Sequence, residues 1–323
     1  MAKLTAFRPD PYVVGILAAV AAAAVLPVHG DLVAPFGIFT KVVIGLLFFL
    51  YGARLAREAV LAGLMHWRLH LFILAVTFGF FPVVGAAAGH FLGGVFTSGL
   101  LLTGVLYLTC LPSTIQSSVA FVATARGAVA AAVCTASASN LIGVMLTPLL
   151  VGVLLSTQGV HVPLSAVESI VLQVLLPFVA GQLVHPWLGP LTARHGRLLT
   201  YYDRGSILLL VYGAFSAAVV GGVWKQISLR DLALVAIFDA ILLAAVLLGI
   251  TRLARRLGFA VEDEIVIAFC GSQKGLATGV PLAGLLFPAA QVGLILVPVM
   301  IYHQFQLISC AVLAQRYARR TPI

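Results

Sequence analysis

An all-helical integral membrane fold is predicted: ten transmembrane helices in two inverted five-helix repeats, with helices four and nine broken and crossing at mid-membrane. Three observations predict it. Apolar residues make up 62% of the chain and charged residues 9%, with a mean hydropathy of +1.13; soluble domains sit near half apolar and a quarter charged. Cutting at charged and Gly/Pro-rich breaks leaves ten hydrophobic segments, most close to the ~20 residues that cross ~30 Å of hydrocarbon. Two of those segments are interrupted near their middles by polar, Gly- or Pro-containing strings.

The segments are 11–29, 36–57, 67–89, 95–125, 128–156, 163–188, 205–224, 231–252, 262–288 and 291–315. Helices satisfy every backbone N–H and C=O without water, whereas a barrel needs alternating segments of about ten residues, which this sequence lacks. The first segment follows Lys3 and Arg8 but is long and has no small-x-small cleavage signal after it, so it is expected to be an uncleaved span. Loops are short, leaving no room for a catalytic domain outside the membrane. The whole of 1–323 is therefore expected to form a single transmembrane domain.

A net charge of +9 raises the question of nucleic acid, and the placement of the charges answers it. With ten spans, both termini and the even-numbered loops share one side. That side holds Lys3, Arg8, Arg54, Arg57, Arg68, Arg126, Arg194, Arg197, Arg204, Arg252, Arg255, Arg256, Arg316, Arg319 and Arg320. The other side holds Lys41, Lys225 and Arg230, and Lys274 lies within a span. This bias places both termini in the cytoplasm. The basic residues set topology and meet anionic lipid; no nucleic-acid partner is expected, and a bacterial inner membrane is the expected location. Cys110, Cys134, Cys270 and Cys310 all fall in hydrophobic segments without a C-x-x-C pair, so they read as small apolar core residues.

The internal repeat is faint but ordered. Leu46-Leu47-Phe48-Phe49-Leu50-Tyr51-Gly52-Ala53 in the second segment matches Ile207-Leu208-Leu209-Leu210-Val211-Tyr212-Gly213-Ala214 in the seventh. Gly143 and Pro148 in the fifth match Gly293 and Pro298 in the tenth at the same spacing. Second with seventh and fifth with tenth means two five-helix repeats. Because five is odd, the second enters the membrane from the opposite side. The repeats span about 11–156 and 163–315.

The third corresponding pair carries the function. The fourth segment stops at Leu111-Pro112-Ser113-Thr114-Ile115-Gln116-Ser117-Ser118 and resumes after it. Pro112 removes an amide donor and clashes with the preceding turn. The ninth segment is interrupted by Cys270-Gly271-Ser272-Gln273-Lys274-Gly275. A broken helix offers free N–H groups at one half-helix end and free carbonyls at the other. Two breaks at the midplane thus provide for an anion beside a cation. Kinks with hydroxyls bonded back to their own helices are the bland alternative.

Lys274 is costly at a helix centre, about 2.5–3.5 kcal/mol even on the lenient insertion scale, so it needs a partner or a function. Asp239 is one candidate partner; the orphan carbonyls of the first half of the ninth segment are another. A fixed cation and a titrating one are both open. Asn140, with Thr135, Ser137 and Ser139, puts polar groups at mid-membrane in the fifth segment, either facing the site or joining helices. Tyr302-His303-Gln304-Phe305-Gln306 reads as cavity lining in the tenth. Glu262, Asp263 and Glu264 suit the start of a helix and read as caps.

These strings together resemble the bile acid:sodium symporter superfamily, solute carrier family 10, and within it the bile-acid-symporter-like branch of the seventh human member. The residues that carry the resemblance are Gly45 to Gly52, Leu111 to Ser118 with Ala125-Arg126-Gly127, Thr147-Pro148-Leu149, Gly271 to Ala277, and His303-Gln304. The resemblance covers nearly the whole chain. It implies a panel domain of helices one, two, six and seven, and a core domain of helices three to five and eight to ten that moves against it. It implies sodium ligands at Ser117, Ser118 and Gln273, and substrate contacts at Ser113, Thr114, His303 and Gln304. Asn140 and Ser272 join the substrate candidates, and Gln116, Ser137 and Lys274 the cation or coupling candidates.

The sequence departs from the family where relatives carry a helix-nine glutamate: here stand Ala268-Phe269-Cys270, with Lys274 nearby. That departure implies a Lys274 ammonium in place of the bound cation, with proton coupling or none. No cofactor is expected, and a bound sodium ion lacks its carboxylate. The leading expectation is a secondary transporter of a small organic anion by alternating access, coupled to sodium or protons. The alternatives are a cation/proton antiporter of similar fold, relying on Asp239, and a non-transporting membrane regulator. An intramembrane enzyme is excluded on motifs, since G-x-S-x-G, H-E-x-x-H and paired intramembrane aspartates are all missing.

Overall fold

Long apolar runs free of charge leave the backbone only helical ways to satisfy itself in lipid, and the structure, a computed structural model, follows them. It describes residues 11–54, 66–156, 168, 171–222 and 227–320. Its helices are α1 (Pro11–Val25), α2 (Val33–Arg54), α3 (Trp67–Leu92), α4 (Gly99–Cys110), α5 (Gln116–Thr124) and α6 (Val129–Ser156). They continue with α7 (Val171–Arg194), α8 (Gly196–Val220), α9 (Leu229–Arg256), α10 (Val261–Ser272), α11 (Leu276–Leu286) and α12 (Ala289–Ala318). No strand occurs among the described residues. Eight helical stretches there are long and apolar enough to cross a bilayer, α10 and α11 counting as one, and Val14–Val25 and Gly99–Cys110 are shorter apolar helices. Lys3, Arg8, Arg57 and Lys225, read above as topology charges, lie outside the described residues.

Exposed Leu17, Ile38, Leu149, Leu183 and Ile241 leave apolar flanks for lipid on the outer helices. By contrast, α10 and α11 are buried almost throughout. The seventh segment starts earlier than hydropathy suggests: α8 begins at Gly196, not 205, and carries Arg197, Asp203 and Arg204 within its first turns. Cutting at charges truncated it, because a helix extends past the hydrocarbon as long as its own hydrogen bonds continue.

Where helices meet closely, glycine permits it. Gly52 of α2 faces Gly181 of α7: a Cβ on Gly52 would stand 2.0 Å from the Phe178 carbonyl oxygen, and one on Gly181 2.0 Å from that of Phe49. Backbones in contact through small residues are the usual substitute for a hydrophobic driving force within lipid. Gly181→Val is expected to separate α2 from α7 and cost about 3 kcal/mol or more, read as a lowered melting temperature in detergent.

Polar clasps fix the ends. The Ser228 hydroxyl accepts from Asp231 N at 3.0 Å, capping α9. The Asp231 carboxylate in turn accepts from Thr97 N and Ser98 N at 3.1 and 3.2 Å, holding the start of α4. Glu264 does more than cap α10: it takes Arg255 Nε and Nη2, both at 2.8 Å, and the Tyr317 hydroxyl. Glu262 pairs with Arg320 at 3.0 Å. These bonds join α9, α10 and α12 at one end of the bundle.

The breaks fall where proline and glycine place them. α4 ends at Cys110, Leu111 is extended, and Pro112 begins the unwound stretch before α5. α10 ends at Ser272, and Gln273 and Gly275 are extended before α11. The two stretches touch: Gly275 N donates to Pro112 O at 2.8 Å. A Cβ on Gly275 would meet the Pro112 and Ser113 oxygens at 3.3 Å, tighter than ordinary contact.

Candidate functional site

At the contact of the unwound stretches the four half-helix ends are treated differently. The carbonyl ends are filled by protein donors. The Lys274 ammonium lies 2.8 Å from Leu111 O, 3.1 Å from Thr77 O and 3.2 Å from Thr109 O. It also sits 3.8 Å from the centre of the Phe81 ring, adding a cation–π contact. Thr147 Oγ1 donates to Cys110 O at 2.8 Å, Ser113 Oγ to Cys270 O at 2.7 Å, and Tyr302 OH to Ser272 O at 2.8 Å.

The Thr77 carbonyl is available for a local reason. Residues Val76–Phe80 form a π-helical turn in which Phe81 N donates five residues back to Val76 O. The next bond in that register would run from residue 82 to Thr77, but Pro82 has no N–H. The orphaned carbonyl goes to Lys274. Lys274 therefore caps the first half of the fourth segment, not its own helix, and forms no ion pair with Asp239 among the described residues. Asp239 is buried on α9, and both its carboxylate oxygens lack a hydrogen-bond partner among the described residues.

The amide ends are open. Neither α5 nor α11 has a side-chain cap at its start. Their first turns, Gln116-Ser117 and Leu276-Ala277-Thr278, line one cavity of about 580 Å³. First-turn amides have no acceptor within their own helix, and each helix contributes a positive dipole end. Two such ends converge on one space, which is the arrangement that receives an anion.

Among the residues singled out from sequence, the cavity brings together Ser113, Thr114, Gln116, Ser117, Ser137, Asn140 and His303. Asn140 is clamped in one orientation: Nδ2 donates to Ser113 O at 2.7 Å and Ala136 O at 3.0 Å, while Oδ1 accepts from Thr278 Oγ1 at 2.6 Å. Thr114 Oγ1 donates to Lys274 O at 2.9 Å. Gln306, behind His303, accepts from Lys274 N at 2.8 Å and donates to Lys274 O at 3.1 Å.

Ser118, Ser272, Gln273 and Lys274 are buried behind the wall and do not line the cavity, and Gln304 does not line it either. Gln273 Oε1 accepts from Ser117 and Ser118 hydroxyls at 2.6 and 3.0 Å, tying α5 to the ninth segment. The Ser272 hydroxyl bonds back to Ala268 O at 2.6 Å, the bland outcome for that residue. Sequence reasoning missed Tyr12, Tyr51, Arg54, Asp203 and Arg204 as cavity residues, and Thr77 and Phe81 as partners of Lys274. Only the last two left a local signal, the proline at position 82.

The model of the SBF-like CPA transporter family matches residues 10–319. The chain belongs to this family. It is 50% identical over 315 residues to an uncharacterized protein of Pseudomonas aeruginosa, covering 97% of this chain and 94% of that one. It is 46% identical over 312 residues to an Escherichia coli protein named "Putative symporter YfeH", with the same coverage. It is 28% identical over 322 residues to the mouse sodium/bile acid cotransporter 7, again covering 97% and 94%. The bile acid:sodium symporter resemblance is thus borne out, and the chain is a multi-pass membrane transporter.

Proposed function

We propose that this transporter carries a small organic anion by alternating access, holding the acid group at the uncapped first turns of α5 and α11. One observation carries the reading: both half-helix amide ends open into the cavity, while the carbonyl ends are closed by Lys274 and by hydroxyls. Ser113, Thr114, Asn140 and His303 would complete the site. Lys274 would stand in for a bound cation, so sodium has no vacant carbonyl cage to enter. Coupling to protons, or none, follows from that reading more readily than coupling to sodium.

Packing supports a ten-helix inverted repeat with a panel and a core. α2 packs on α7 as α1 packs on α8, and α3 packs on α4 as α9 packs on α10. Under a pairing of segment one with six, two with seven, three with eight and four with nine, each contact maps onto its counterpart. The basic residues would put Arg54 and Arg204 at the cytoplasmic end. The cavity, which reaches them along exposed Gln116 and Ala120, would then be open inward. Both termini would be cytoplasmic, in a bacterial inner membrane, a location favoured by the two relatives coming from bacteria.

Uptake of labelled organic anions into proteoliposomes tests the proposal. Uptake unchanged when sodium is replaced by potassium is expected; a strict sodium requirement would contradict the role given to Lys274, and uptake of no anion would contradict the function. A cation/proton antiporter is favoured by a single feature, the buried Asp239 carboxylate, which has no hydrogen-bond partner among the described residues. If it holds, Asp239→Asn abolishes cation-driven proton flux; under the anion proposal the variant keeps its anion uptake.

A further inference from the structure

The far end of the cavity carries charges that the helix breaks do not use. Arg54, Asp203 and Arg204 line it beside Tyr12 and Tyr51. Arg54 gives both terminal nitrogens to Asp203, at 2.7 and 3.0 Å. That bidentate fork neutralises both partners. Arg204 differs. Among the described residues it has no carboxylate within ion-pair distance. Its guanidinium lies over the Tyr12 ring at 5.4 Å. Among the described residues the cavity therefore carries one guanidinium without a carboxylate partner, and the two amide ends of α5 and α11 line the same space.

Part of the wall is apolar, with Phe48, Phe178, Leu141 and Val144 facing the space. Phe48 and Arg54 both line it, and at about 1.5 Å per residue α2 advances about 9 Å along its axis between them. Two positive poles on one cavity, with apolar wall beside them, specify more than a single acid.

We propose that the cavity takes a medium-chain organic dianion, with one acid at the first turns of α5 and α11 and the second on Arg204. Its apolar chain lies against Phe48 and Phe178. The inference rests on the anion reading above and adds the second pole. A guanidinium fork matches a carboxylate in two bonds. A monoanion would satisfy one pole and leave the other to solvent alone.

Calorimetric binding to the full chain in detergent tests it, with octanedioate, its monomethyl ester and its dimethyl ester as probes. Octanedioate is expected to bind about tenfold more tightly than the monoester, the effect of one charge-assisted hydrogen-bonded contact. Arg204→Gln should remove that preference and Arg204→Lys should keep most of it. Equal binding of diacid and monoester to the unaltered protein would overturn the proposal while leaving an anion carrier standing. A preference undiminished in a folded Arg204→Gln variant would overturn it too. If none of the three binds, the dianion proposal fails and an anion carrier of other specificity is left standing; if the diester binds as well as the acids, the anion reading itself fails and the dianion with it. Should Arg204→Gln not fold, the comparison of the three probes on the unaltered protein decides alone.

Discussion

Replacing Lys274 with alanine is expected to destabilise the protein by about 3 kcal/mol or more and to abolish uptake. Its ammonium is the donor for three buried carbonyls, those of Thr77, Thr109 and Leu111. A buried acceptor left unpaired costs about 1–3 kcal/mol, and removal of the side chain adds a cavity. Lys274→Met keeps most of the volume and loses the charge together with its hydrogen-bond donors. If the carbonyl cage is the reason for the residue, methionine should be nearly as destabilising as alanine. If packing is the reason, methionine should restore most of the melting temperature. The cage also predicts a gain: with Lys274→Ala the vacated oxygens can accept a small cation, so sodium should raise the melting temperature of the variant and leave the unaltered protein unchanged. Melting curves with sodium or choline chloride at equal ionic strength read this directly.

Asn140→Asp is expected to reduce anion uptake at least about tenfold with a modest loss of stability. The asparagine amide donates to Ser113 O and Ala136 O and accepts from Thr278. A carboxylate there would face two carbonyl oxygens and set a negative charge beside the proposed anion site, where like charges repel. Restoring the donor should restore function, so Asn140→Ser is expected to fall between the two. Initial rates of uptake, compared at equal protein incorporation, check the order. An aspartate variant with undiminished uptake would remove Asn140 from the site.

Much of this was legible along the chain because its causes are local. Pro112 and the glycines around Lys274 break helices by their own covalent chemistry, and the breaks appear at those strings. The apolar runs dictate helices for want of any other way to pair the backbone in lipid. The partner of Lys274 was not legible, since it depends on α3 lying beside the end of α4. Even so, the pairing of Pro82 with a π turn shows why a spare carbonyl waits there. Asp239 was a candidate counter-ion by type, and among the described residues its carboxylate on α9 finds no hydrogen-bond partner.

Arg54 and Arg204 show the opposite error. Lying near segment ends, they read as topology charges, and nothing in the one-dimensional pattern says that a cavity reaches them. Ser272 and Gln304 sat in the right strings, but helix rotation turned one back to the Ala268 carbonyl of its own helix and the other away from the cavity wall. A string marks a position on a helix; the face it presents follows from the packing of helices distant in sequence.

The most direct measurement is an experimental density map of the protein saturated with a transported or bound anion. The account predicts density for the acid group within hydrogen-bond distance of the first-turn amides of both α5 and α11, with the Lys274 ammonium still on the Thr77, Thr109 and Leu111 carbonyls. Density for a cation among those carbonyls, with Lys274 displaced and the first-turn amides bare, would contradict it.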